Sequence, residues 1–134
     1  MKHVSGNMHS RWTAFLTSDG EKPDRNRDSE FVLEPGDTRA SILARWEGGW
    51  RLLFEALGRL TGADLGRPVT IRGERHTVLE AINRQLTHYA YHVGQIVFVA
   101  KHFAGPAWQS LSIPRGQSRE VEVSKDGTPY RPER

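Results

Sequence analysis

Apolar residues recur in alternating steps of three and four along three stretches of this chain, the spacing that puts them on one side of an α-helix. It predicts helices over residues 2–17, 37–62 and 77–104. The third is the most clearly bounded, because Thr77 and Glu80 have the spacing of a capping box and Gly105 precedes a proline. Its predicted core-facing residues are Leu79, Ile82, Leu86, Tyr89, Val93, Ile96, Ala100 and Phe103.

The other two helices also carry apolar stripes, and together the three predict an all-α bundle with antiparallel packing. The first stripe consists of Val4, Met8, Trp12 and Phe15, and the second of Leu43, Trp46, Trp50, Leu53, Leu57 and Leu60. Gly48 and Gly49 weaken the second helix, so they predict the close approach of another helix there.

Three segments outside the helices lack helical periodicity. Residues 18–36 form a polar connection, which Phe31, Val32 and Leu33 are expected to dock onto the bundle. Residues 63–76 fit a short β-hairpin or an extended arm, with Arg72-Gly73 between the two halves. Beyond Pro106 the chain is expected to be irregular, ending in a frayed or extended tail from Glu120 to Arg134.

The third helix carries a second, polar stripe at the border of its apolar one, composed of Gln85, His88, His92, Gln95, Val99 and His102. His88 and His92 are four residues apart, so their imidazoles lie one turn apart and can share a metal ion. The spacing also arises by chance in a histidine-rich chain, and imidazoles at a core border can bond to backbone or water instead. Both interpretations stay open on the pattern alone.

The composition is that of one domain over residues 1–134, and the chain contains no cysteine. Disulfides, zinc thiolate sites and cysteine nucleophiles are therefore excluded. No serine-nucleophile elbow, phosphate-binding loop or dinucleotide fingerprint occurs. The Glu-x-x-His pattern of di-iron bundles is also absent, because Gln85 and Tyr89 stand three residues before the two histidines.

The net charge of +3 comes from basic residues that are interspersed with acidic ones, so it predicts no nucleic-acid surface. No apolar run has the length of a membrane span, and no apolar signal segment begins the chain. The expectation is a cytoplasmic protein that binds neither membrane nor nucleic acid.

Three sequence runs together resemble the DinB-like superfamily, in a branch known only as a domain of unknown function. They are the run from His88 to Ile96 with His3-Val4-Ser5-Gly6-Asn7 and Trp12 upstream, the run from Asp19 to Phe31, and Ser112 to Ser118. The resemblance implies an antiparallel four-helix bundle with zinc or nickel on three histidines. Matched residue by residue, it implies His3, His88 and His92 as metal ligands. Gln95 lies three residues beyond His92 on the same side of the helix, so it is expected either to hydrogen-bond to a ligand or to face the open coordination position, where it would contact a cofactor.

The superfamily's first helix has no counterpart here, because the histidine that resembles its first ligand is the third residue of the chain. The resemblance therefore implies a bundle lacking its first helix, which predicts either a homodimer or an exposed apolar groove.

Two functions from different classes follow. The resemblance implies a metal-dependent thiol transferase or hydrolase acting on a small molecule, with a low-molecular-weight thiol as a further cofactor. The alternative is a non-catalytic bundle that dimerises or binds a partner and whose histidines are structural. Metal content distinguishes the two.

Overall fold

A computed structural model describes residues 1–131 and shows a mostly helical chain. Its helices are α1 (Lys2–Trp12), α2 (Arg39–Gly58) and α3 (Val78–Ala104). Strands β1 (Pro68–Ile71) and β2 (Glu74–Thr77) form an antiparallel hairpin between α2 and α3, and β3 (Glu122–Val123) pairs with β4 (Pro129–Tyr130). Short 3₁₀ helices span Asp28–Phe31, Gly62–Gly66 and Gly105–Ala107. The mostly helical fold agrees with the prediction, and the β1–β2 hairpin confirms one of the two interpretations of residues 63–76, whereas β3 and β4 were not predicted.

The contacts divide the chain into two compact units, Met1–Val93 and Gly94–Arg134, and the prediction of a single domain over 1–134 stays a prediction. The second unit holds the end of α3 and the β3–β4 hairpin, which corrects part of the extended tail predicted from Glu120. The last three residues of that predicted tail, 132–134, lie outside the described residues. No helix within 1–131 has the length and apolarity needed to cross a membrane.

The helix ends follow the local signals in the sequence. Thr77 and Glu80 form the predicted capping box, since the Glu80 carboxylate accepts from the Thr77 backbone N–H at 2.7 Å and Thr77 Oγ1 accepts from the Glu80 N–H at 3.2 Å. Thr38 and Ser41 cap α2 in the same reciprocal way. Gly105 has a φ of 51°, the left-handed conformation expected after α3.

The main cluster of buried apolar residues lies in the first unit. Val4, Met8 and Trp12 of α1 are buried as predicted, together with Phe15 just beyond its end. From α2 only Gly49 and Leu53 are fully buried, and Trp46 and Trp50 are partly buried. The predicted reason for the glycine pair holds at Gly49, where a Cβ would lie 2.8 Å from Met8 Sδ.

Helices α1 and α2 run in the same general direction, which corrects the antiparallel prediction for this pair. Lys2 pairs with Asp37 just before α2, Met8 lies against Gly49, and Trp12 and Ala56 line one cavity near the helix ends. The long connection over residues 13–38 allows this, because it returns the chain to the same end of the bundle. Helix α3 runs opposite to α1.

The buried face of α3 within the first unit is rotated from the predicted one. Val78, Ala81, Gln85 and Tyr89 are buried, whereas Leu79, Leu86 and Val93 are 47%, 66% and 39% exposed. The predicted stripe shares Tyr89 with the observed buried face. As a consequence, the polar stripe of Gln85, His88 and His92 faces α1 instead of lying at the edge of the core.

Candidate metal centre

His3 lies in the first turn of α1 and is fixed by residues of the connection that follows the helix. Its Nδ1 is 2.8 Å from Glu30 Oε2, and its ring stacks on Phe31 with 4.5 Å between ring centroids. Both partners belong to the 3₁₀ helix Asp28–Phe31. The expected docking of this connection is confirmed at Phe31, whose ring covers His3, although Phe31, Val32 and Leu33 all stay exposed to solvent.

His88 and His92 lie one turn apart on α3, and both point toward His3. The Nε2 atom of His88 is 3.3 Å from Nε2 of His3 and 3.1 Å from Nε2 of His92. Ligand atoms of all three histidines lie within 4.8 Å of one another. Tetrahedral coordination with metal–nitrogen bonds of 2.0–2.1 Å separates neighbouring nitrogens by about 3.3 Å. The cluster therefore has the spacing of three ligands of one ion.

The charge state of the cluster suits metal ligation. Burial lowers the pKa of His88 to about 4, and the neighbouring His92 and His3 add to the shift. Burial also lowers the pKa of His3, and this outweighs the opposite effect of Glu30. His3 and His88 are therefore mainly neutral at pH 7, and the neutral imidazole is the form that binds metal.

Glu30 connects His3 to a chain of buried charges. Arg25 donates to it from Nε and Nη2, each at 2.8 Å, and its third nitrogen, Nη1, lies 3.1 Å from both carboxylate oxygens of Glu21. The side chains of Arg25 and Glu30 are only 5% and 9% exposed. When the ring proton of His3 is on Nδ1, this N–H donates a hydrogen bond to Glu30, and Nε2 keeps a free lone pair for a metal ion in the cluster.

The loop that carries Glu30 is itself held by the β1–β2 hairpin. Arg72 and Gly73 at its turn both have positive φ, of 56° and 77°, and their N–H groups each donate to the Asp19 carboxylate at 2.8 Å. This is the two-residue hairpin turn that favours glycine at its second position. Asp19, Arg25 and Glu30 were not assigned a role from the sequence. The only sequence signal was their place in the run from Asp19 to Phe31.

A buried hydrogen-bond chain links α1 to α3 below the cluster. Trp12 Nε1 donates to the Tyr89 hydroxyl at 2.8 Å, and Gln85 Nε2 donates to Asn7 Oδ1 at 2.7 Å and to Tyr89 at 3.3 Å. Burial raises the pKa of Tyr89 to about 12, so its hydroxyl stays protonated. These hydrogen bonds fix the side chain of Gln85 one helical turn before His88.

A cavity of about 310 Å³ opens beside the histidines. Its wall contains His3, Asn7, Gln85 and His88, and five arginines supply the rest. A small molecule in this cavity would contact two of the three candidate ligands.

The model of one protein family, described as "Protein of unknown function (DUF1572)", matches residues 1–117. The chain belongs to this family. Searches of curated proteins and of solved structures find no match.

All three clustered histidines of this DUF1572 member lie within the matched residues, as do Glu30 and Arg25. Gln95, the residue expected to contact a cofactor, is exposed and belongs to the second unit. Its role stays a prediction. The family description names no activity, so the chemistry of the site has to be inferred from the geometry of the three histidines.

Proposed function

We propose that this chain is a divalent-metal protein of the DinB-like superfamily, in which His3, His88 and His92 hold one zinc or nickel ion. The observation that supports this most is the position of His88 Nε2, which lies 3.3 Å from Nε2 of His3 and 3.1 Å from Nε2 of His92. In this proposal the three helices correspond to three of the four helices of the DinB-like bundle.

The proposed activity is a transferase or hydrolase reaction on a small molecule, with a low-molecular-weight thiol as co-substrate where the reaction is a transfer. A divalent ion on three neutral imidazoles with an open position supplies Lewis-acid chemistry. The protein's own groups have positioning roles: Glu30 orients His3, Gln85 and Asn7 form one wall of the cavity, and Gln95 is proposed to contact the bound cofactor.

The test is a metal titration of the purified chain after chelator treatment and dialysis. We expect calorimetry to show about one Zn²⁺ or Ni²⁺ per chain, and metal to raise the Tm. His9→Ala is the matched control, because His9 is exposed on α1 and outside the cluster. A chain that takes up no stoichiometric ion, and whose Tm does not respond to metal, would contradict the proposal. A thiol-conjugation assay on the loaded protein then tests the transfer reaction.

A second candidate, a non-catalytic bundle that dimerises, is favoured by the exposed face of α3. Three exposed residues follow one another at intervals of seven, namely Leu79, Leu86 and Val93. Two helices pack along such a repeat, and we call this line of three residues the seam. The occupant we propose is a second copy of this chain, forming a homodimer. Dimerisation is compatible with metal binding, so only metal content separates the two functions.

Leu86→Lys is expected to shift the chain from dimer to monomer in sedimentation equilibrium, because it places a charge at the centre of the proposed seam. Thr87→Lys introduces the same charge at the next exposed position of α3 and is expected to leave the dimer intact. A wild-type chain that stays monomeric at high micromolar concentration would contradict the homodimer.

A further inference from the structure

Arg11 is a buried cation with unfilled hydrogen-bond donors. The residue is 3% exposed, and neither Nε nor Nη1 has a hydrogen-bond partner. Its remaining nitrogen, Nη2, is 3.8 Å from Glu21 Oε2. A guanidinium stays protonated in proteins, and leaving a charged donor unpaired in the interior costs free energy. Its side chain lines the cavity beside the histidines.

The carboxylate nearest to Arg11 is already shared. Glu21 Oε2 is also 3.1 Å from Arg25 Nη1 and 3.4 Å from Arg72 Nε. Glu30 is occupied by Arg25 and His3. Two carboxylates, Glu21 and Glu30, are therefore shared among three arginines, so net positive charge remains at this site.

Positive charge accumulates along the cavity wall. The arginines that line it are Arg11, Arg25, Arg27, Arg72 and Arg84, and no acidic residue is among its lining residues in the described part of the chain. Burial lowers the pKa of Arg11, and the like charge of Arg84 lowers it further. Two cations held together beside an open cavity are a common way to bind a negatively charged group.

We propose that this cavity binds an oxyanion group of a small molecule, phosphate or carboxylate, through Arg11 and Arg84. His3 and His88 line the same cavity, so a molecule anchored by its anion extends toward the three-histidine cluster. Assigning the anion to a substrate rests on the proposed function. Its chemical class then follows: the substrate or co-substrate carries a phosphate or a carboxylate.

The experiment uses the metal-free full chain with inorganic phosphate in one arm and malonate in the other. Binding is followed by calorimetry and by the arginine Nε–H signals in nitrogen-15 NMR spectra, with the Arg11 signal assigned by its loss in Arg11→Met. We expect millimolar or tighter binding of at least one probe, accompanied by a shift of the Arg11 signal. The arm that binds tighter identifies the anion class.

Three variants locate the site. Arg11→Met keeps most of the side-chain volume and is expected to weaken binding at least ~10-fold, the loss of one charge-assisted hydrogen bond. Arg84→Gln is a second test that does not disturb the core, because Arg84 is exposed, and it is expected to weaken binding severalfold. Arg51→Gln removes an exposed arginine of α2 outside the cavity and is expected to change nothing.

Failure of both probes to bind, or equal binding by wild type and Arg11→Met, would overturn the anion site. The proposed metal site is judged separately by the metal titration of the wild-type chain. Anion binding by a wild-type chain that takes up no metal would support the anion site while contradicting the metal proposal.

Discussion

Replacing His92 by alanine is expected to abolish binding of Zn²⁺ or Ni²⁺ at micromolar concentrations, since it leaves two imidazoles where the proposed site uses three. Calorimetry measures the lost binding. Thermal unfolding measures its consequence: at free metal 100-fold above Kd, the wild type gains about 2.7 kcal/mol on binding, and the variant gains none. Without metal the two proteins are expected to melt at similar temperatures, because His92 is only half-buried.

His102→Ala is the matched control, because His102 is an exposed histidine of the same helix and lies outside the cluster. It is expected to bind metal as the wild type does. His92→Asp should recover part of the affinity, since a carboxylate is also a metal ligand. If His92→Ala lost equal stability with and without metal, His92 would be a packing residue and the ligand assignment would fail.

Local sequence signals predicted the parts of the site that depend on neighbours along the chain. The capping box at Thr77 and Glu80 and the i,i+4 spacing of His88 and His92 involve residues within one helical turn. Gly49 was predicted to mark a close helix contact because a bare glycine in a helix has a cost that packing must offset. These features are confirmed.

The orientation of α3 could not be obtained from its own periodicity. The spacing of apolar residues indicates which residues share a face of α3. The face that packs against α1 depends on the side chains that α1 presents there. Asn7 and Trp12 of α1 hydrogen-bond to Gln85 and Tyr89, and this polar pairing buries a face less apolar than the one containing Leu86. A hydrophobicity pattern does not detect such a preference, because it treats Gln85 as a surface residue.

The contact between Glu30 and His3 could not be predicted from the sequence for a different reason. Glu30 stands 27 residues from His3 in a polar connection, where its composition resembles that of a solvated loop. It reaches the histidine because Asp19 fixes the loop to the β1–β2 turn and Arg25 holds the carboxylate in place. Each of these contacts depends on the folded path of the chain.

Glu30→Gln is expected to weaken metal binding by roughly 10–100-fold, the usual effect of removing a carboxylate that orients a ligating histidine. The amide keeps the shape of the side chain but not its charge, so the His3 Nε2 lone pair becomes less basic and the ring is held less firmly. The variant also leaves Arg25 with Glu21 as its remaining carboxylate, and loss of a buried partner of this kind costs roughly 3 kcal/mol of stability. Affinity is measured by calorimetry at a temperature where both proteins are folded.

Glu21→Gln separates the two effects, because Glu21 contacts Arg25 but makes no contact with His3 in the ion-pair network. It is expected to lower the free energy of unfolding while leaving the metal Kd near that of the wild type. Comparison of the two variants therefore distinguishes a general loosening of the loop from the loss of the His3 hydrogen bond. Wild-type metal affinity in Glu30→Gln would show that the carboxylate stabilises the loop without tuning the ligand. A parallel loss of affinity in Glu21→Gln would assign the effect to the loop as a whole, because both carboxylates belong to that loop and hydrogen-bond to Arg25.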